Sequence, residues 1–137
     1  MREILFRGKR KDNGEWIEGF YFQKKNPFSE YGEPIRHFIS DLPPFGAEVV
    51  PETVGQYTGL KDNNGKRIFE GDIVVLDDEV KKIFDASDGE VKYGWGGFYV
   101  HEFSTLCSLN TLAAHDGVFR GVVIGNIHDN PELLEDT

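Results

Sequence analysis

Four histidines, a single cysteine and 24 acidic side chains are the groups in this 137-residue sequence that could move protons, attack a substrate or hold a metal. Their spacing argues against a metal site or a reactive thiol and nominates no pair of carboxylates, although any two of the 24 acids could converge in the fold. His37, His101, His115 and His128 stand far apart, whereas a zinc site wants paired Cys or His a few residues from each other. Glu102 directly follows His101 and points to the opposite face of any strand they share. Cys107 has no second cysteine for a disulfide or a C-x-x-C motif and reads as a small buried thiol. Asp62-Asn63-Asn64-Gly65 lacks the alternation of a calcium loop and reads as a hairpin turn. Glu70 and Asp72 flank Gly71 and suit a sharp corner. Gly94-Trp95-Gly96-Gly97 lacks the lysine and the following helix of a phosphate-binding loop. The expectation is no catalytic residue, no metal and no cofactor.

Two groups retain a binding chemistry. Lys9-Arg10-Lys11 would sit on a hairpin tip and could touch phosphate or an acidic partner, although a solvated hairpin end is the plainer reading. Trp95, Phe98 and Tyr99, with Tyr93, cluster around three glycines and suit a peptide, a base or a second subunit if exposed, and core packing if not. Charge weighs on the choice of partner. The net charge is −9; residues 1–25 carry +3 and residues 26–137 carry −12. Such a field disfavours nucleic acid except at a local basic patch, which the first hairpin, with Trp16 and Tyr21, would provide.

The elements that must position these residues are strands. Sixteen glycines favour tight turns over long helices. Glu3–Arg7 and Trp16–Phe22 flank an Asn13-Gly14 turn and predict a hairpin. Ile35–Ile39 predicts a short strand; residues 41–46, with Pro51, read as a connection between two lobes, and Ala47–Val50 could pair with something in between. Val54–Leu76 predicts a second hairpin, the Glu70-Gly71-Asp72 corner and an apolar strand. Asp77-Asp78-Glu79 reads as a charged turn and Val80–Phe84 as a strand; Glu90–Tyr93 and Phe98–Phe103 follow as strands. Leu106, Leu109 and Leu112 at every third position suggest a short helix over Ser104–Ala114, with an irregular excursion as the alternative. Val118–Ile127 reads as the last strand, and Asn130-Pro131 opens one helical turn. Seven to nine short strands with glycine-rich turns indicate a mainly β fold.

The two hairpins share a pattern: Gly8, Gly14 and Gly19 in the first match Gly59, Gly65 and Gly71 in the second, with one extra residue before the last. Either an ancient duplication or a common solution to one turn geometry accounts for it. A hairpin, a Gly-Asp corner and an apolar strand are also how many SH3-like barrels are built. The expected organisation is an N-terminal β-hairpin lobe with its linker over residues 1–50, packed with a small SH3-like barrel over residues 51–137 that ends in one short helical turn.

Val54-Gly55-Gln56-Tyr57-Thr58-Gly59-Leu60, then Asp62, Asn64-Gly65, Ile68 and Glu70-Gly71-Asp72-Ile73-Val74, resembles the signature of the YopX family of phage and prophage proteins. Val123-Ile124-Gly125-Asn126-Ile127, Asn130-Pro131-Glu132-Leu133-Leu134, and Phe6-Arg7-Gly8-Lys9 through Trp16 and Gly19 extend the resemblance, while residues 77–117 match little beyond Tyr93 and Phe98. The resemblance implies a mostly β fold encoded by a phage or prophage; the family supplies no catalytic residues to carry over. The expectation is a non-catalytic protein in the cytoplasm of a bacterial host that binds a protein partner or its own copies. Nucleic-acid binding through the N-terminal hairpin and an unrecognised enzyme site stand as alternatives; no membrane role is expected, since no apolar run is long enough to span a bilayer.

Overall fold

The computed structural model describes residues 4–28, 30, 32, 34–42, 45–84, 87–94, 96–101, 106–108 and 118–134. The described chain is mainly β and arranged in two antiparallel sheets. It divides into two compact units, residues 1–57 and 58–137, where the sequence reading places the division after residue 50. No helix among the described residues is long and apolar enough to cross a membrane.

The first unit begins with strand β1 (Phe6–Lys9), hairpinned to the long β2 (Trp16–Lys25) in the register Phe6↔Gly19 to Lys9↔Trp16. The Asn13-Gly14 turn behaves as its composition dictates. Gly14 takes φ 73° and the Asn13 side chain accepts the Glu15 N–H at 2.9 Å. Next come β3 (Ile35–Leu42) and β4 (Phe45–Glu48), and the order in this unit is β4-β3-β2-β1, followed by the start of β5 (Gly55–Lys61). Asp41, Leu42, Phe45 and Gly46, expected in a connection, thus end β3 and begin β4, while Ala47 and Glu48 pair with β3 and Val49 bridges to Arg10, as expected of Ala47–Val50. Beyond β4 the backbone turns toward β1: the Lys11 N–H donates to the Glu48 carbonyl and the Val50 N–H to the Lys9 carbonyl, both at 2.9 Å. Gly8 permits that approach. A Cβ there would lie 3.0 Å from Ile39 Cδ1 and 3.2 Å from Val49 Cβ, both fully buried side chains.

In the second unit β5 ends beside β6 (Arg67–Phe69), and β7 (Asp72–Leu76) follows the Glu70-Gly71-Asp72 corner. At that corner Gly71 takes φ 93° and the buried Asp72 carboxylate accepts the Phe69 N–H at 2.8 Å. The five-stranded sheet has the order β10-β9-β8-β7-β11, from β8 (Gly89–Gly94), β9 (Gly97–His101), β10 (Leu106–Ser108) and β11 (Gly121–Asn126). Its core is Ile68, Val74, Leu76, Val80, Val91, Val100 and Phe119. A 3-10 turn over Pro131–Leu134 supplies the expected C-terminal helical turn.

Two local expectations are corrected. Val80–Phe84 is not a strand: Asp78–Phe84 forms a helix, α1. Asp78 and Glu79 lie in its first turn and Lys81 and Lys82 in its last, which suits the helix dipole, and Val80 is its buried anchor in the core. The helical spacing of Leu106, Leu109 and Leu112 also fails where it can be seen. Leu106–Ser108 pairs with β9, and the remainder of that stretch lies outside the described residues. The glycine repeat is one of composition rather than backbone. Gly14 and Gly65 share a positive φ, but Gly59 (90°) and Gly71 (93°) are left-handed where Gly8 and Gly19 are not.

Asp62 does more than turn a hairpin. It is 2% exposed; Oδ1 accepts the N–H groups of Asn64 and Lys66, and Oδ2 accepts that of Val123 in β11, all at 2.9 Å. Removing it strands three backbone donors, each orphan costing about 1–3 kcal/mol. Asp62→Ala should lower the urea-unfolding stability of the full chain by about 3 kcal/mol or more, and Asp62→Asn, which keeps one acceptor oxygen, by less. Equal and small losses in both variants would show that the carboxylate is not the tie described.

Candidate functional site

The residues nominated by the sequence do not assemble into one surface. Arg10 closes a two-pronged contact with Asp12, Nε to Oδ1 at 3.0 Å and Nη2 to Oδ2 at 2.7 Å. Lys11 Nζ lies 3.1 Å from Glu48 Oε2, and Lys9 Nζ lies 5.6 Å from the centroid of the Trp16 ring. Carboxylates therefore engage Arg10 and Lys11. In the second group, Phe98 packs against the second unit's core with the ring of Tyr93 edge-on at 5.1 Å. Tyr99, the next residue along β9, points to the other face and meets His101 edge-on at 6.2 Å. Trp95 lies outside the described residues.

A different surface collects aromatic and cationic groups, and the register of the first unit's sheet builds it. Alternate residues of a strand share a face, so Trp16, Glu18, Phe20, Phe22 and Lys24 of β2 stand on one side. The pairs Phe20↔Ser40, Phe22↔Phe38 and Lys24↔Arg36 place Phe38 and Arg36 of β3 on that side as well, and Phe38↔Glu48 adds Glu48 of β4. The Phe22 and Phe38 rings stack across the strands, 5.3 Å between centroids and 12° between planes. Lys24 Nζ lies 5.8 Å from the Phe22 centroid and 5.4 Å from that of Phe38, and Arg36 Cζ lies 5.2 Å from Phe38, within cation–π range. Farther along the face the Arg7 guanidinium covers Trp16 at 4.7 Å. Phe20, next to the stack, is 55% exposed. The opposite side of β2 and β3 carries a polar chain: Gln23 donates to the Tyr21 hydroxyl at 2.8 Å, and that hydroxyl lies 2.6 Å from His37 Nδ1.

One carboxylate organises the cations at the end of the face. Glu48 Oε1 receives Arg36 Nη2 at 2.7 Å and Nε at 3.3 Å, while Oε2 receives Lys11. The Arg36 hydrogen bond, seconded by Lys11, holds the Glu48 carboxyl down at about 2, and Glu48 in turn raises the Arg36 pKa. By contrast Lys24 has no carboxylate within ion-pair distance among the described residues.

The second unit offers a titratable pair. Glu90 of β8 stands opposite His101 of β9, and burial pushes its carboxyl up while Lys92 and His101 pull it down. No group of three or more metal-ligating side chains forms among the described residues. Sequence reasoning missed the β2–β3 face because Phe22 and Phe38 are distant in the chain and only the register brings them together. The available signal was the alternation Phe20, Phe22, Lys24 on a strand already predicted.

Comparison with known proteins agrees on the fold. A family model described as YopX protein matches residues 5–135. No curated protein matches the chain. The crystal structure of protein EF1440 from Enterococcus faecalis is similar to it at 28% identity, with a TM-score of 0.53, over 98% of this chain and 99% of that one.

The Glu48 arrangement sets a pH window. Its folded-state pKa is depressed below the ordinary 4.5, so its contribution to stability is complete above that value and is lost as pH falls toward about 2. A carboxyl-detected NMR titration should place the Glu48 midpoint near 2, and Arg36→Met should move it back toward the ordinary value. High salt should erode the depression, since the pair is largely solvated. A wild-type midpoint at the ordinary value would remove the shared ion pair.

Proposed function

Given that this chain belongs to the YopX family, we propose that it is a phage- or prophage-encoded, non-catalytic interaction module of the bacterial cytoplasm, and that it binds through the outer face of β2 and β3. The observation that carries this reading is the exposed Phe20 ring beside the Phe22–Phe38 stack, with Lys24 and Arg36 over the rings. Large apolar rings left in water at one place are costly unless something covers them. Aromatic and arginine side chains together are the composition of binding hot spots. The phage setting rests on the family, and the cytoplasmic one on a chain that reads as a soluble β protein with a lone cysteine.

The test compares immobilised wild-type chain with a Phe20→Ser, Lys24→Glu double variant and with Tyr93→Ser, a ring 57% exposed on the second unit. Molecules retained from bacterial lysate would be read by mass spectrometry for protein and by staining for nucleic acid. The double variant should lose what the wild type retains by about tenfold or more, as hot-spot residues do, and Tyr93→Ser should keep it. Equal retention by all three chains would remove this face as the binding surface.

A further inference from the structure

We infer that the occupant of the β2–β3 face is a single-stranded nucleic acid, its bases stacking on Phe20 and the Phe22–Phe38 pair and its phosphates meeting Lys24 and Arg36. The inference rests on the proposed binding role of that face and adds the chemistry of what it binds.

Three features select this ligand. Proteins that hold single strands combine side-chain rings, on which bases stack, with cations that track the backbone. Here Phe20 and Phe22 recur along β2 at ~6.6 Å and Phe38 lies ~4.8 Å across on β3, so the rings form a short platform. Phe20 is the open end of it, at 55% exposure. The cations are interleaved with the rings, since both Lys24 and Arg36 sit within 5.5 Å of the Phe38 centroid. A planar base carried by an anionic chain satisfies both at once, whereas an aliphatic peptide would cover the rings and leave Lys24 without an anion.

Charge is less adverse than the whole-chain figure suggests. Residues 1–57 hold eight Lys and Arg against nine Asp and Glu, a net −1, and the remaining −8 belongs to residues 58–137. Within the first unit Asp12 is engaged by Arg10, and Glu48 by Lys11 and Arg36. Exposed charges farther than about 8 Å count little at physiological salt. Glu48 also occupies the place a phosphate would take, with two cations on one carboxylate. An incoming phosphate must compete with it, so the carboxylate acts as a built-in anion mimic that weakens non-specific binding.

Fluorescence anisotropy of the full chain with labelled single-stranded DNA and RNA of about 12 nucleotides tests the inference. Wild type should bind at low salt, with a log–log salt slope near −1.4 for two phosphate contacts at about −0.7 each. Phe20→Ser should weaken binding about tenfold, within the range for one stacked base. Lys24→Gln should flatten the slope by about 0.7, Glu48→Gln should tighten binding by freeing Lys11 and Arg36, and Tyr93→Ser should change nothing. The same sequence as a duplex should bind more weakly, because its bases are not offered. No binding at low salt, or binding indifferent to Phe20 and Lys24, or a duplex bound as well as the single strand, would each overturn the inference. If the oligonucleotides fail while the Phe20→Ser, Lys24→Glu chain still loses a protein partner in the retention assay, the face stands as a binding surface and its occupant is a protein.

Discussion

The second unit depends on one buried carboxylate. Asp62 replaces the water it would otherwise bind with three backbone N–H groups, two from its own turn and one from Val123, 61 residues later. A buried anion without such donors would be prohibitively expensive, so the turn can fold only as β11 arrives beside it. The Asn63 N–H strengthens the junction by donating to the Gly121 carbonyl at 2.9 Å. Asp72 plays the corresponding part at the next corner, where its carboxylate holds the Phe69 N–H and fixes the angle at which β7 enters the sheet. Apolar burial by Val74, Val91, Val100 and Phe119 supplies the driving force. The two aspartates supply the register that makes this burial productive.

The first unit is held differently. Its two central strands, β2 and β3, are longer than any in the second unit, and its contacts are rings and cations as much as aliphatic core. The Phe22–Phe38 stack, Arg7 over Trp16, and Tyr21 beside His37 are all cross-strand contacts between β1, β2 and β3. Side chains that large are not all turned inward: among the described residues the buried apolar side chains of this unit are Ile39, Val49 and Tyr57. The remainder emerges as the surface to which a binding role is assigned.

Local signals carried most of the fold. The Asn13-Gly14 and Asn64-Gly65 turns, the Glu70-Gly71-Asp72 corner and the alternation along Trp16–Phe22 are short-range features that need only neighbouring residues, and each appears where its chemistry demands. The errors arose where length and spacing were ambiguous. Val80–Phe84 contains a valine, an isoleucine and a phenylalanine and looks like a strand until the acids before it and the lysines within it are read as helix-end charges. The three leucines after Ser104 have helical spacing, yet Leu106–Ser108 is claimed by the edge of β9. The candidate face was the least legible part. Its members lie on three strands, and no pattern within one strand announces that Phe38, Arg36 and Glu48 will stand beside Phe22 and Lys24. The tip cations were visible, and so was Asp12 beside Arg10, but the acid that engages Lys11 was not, because Glu48 is 37 residues away in the chain.

The junction of Asp62 and Asn63 with β11 also bears on how the chain keeps to itself. The outward N–H of Val123 and the outward carbonyl of Gly121 are the groups that an edge strand shows to any passing extended segment, and both are spoken for by the β5–β6 turn. A hairpin tip thus serves as an end-stop on the sheet, closing a site where a neighbouring copy could add a strand and propagate. The aspartate that sets the register of the second unit for this reason also covers an edge donor: a chain without it would be less stable and would leave the Val123 N–H open to a neighbouring strand.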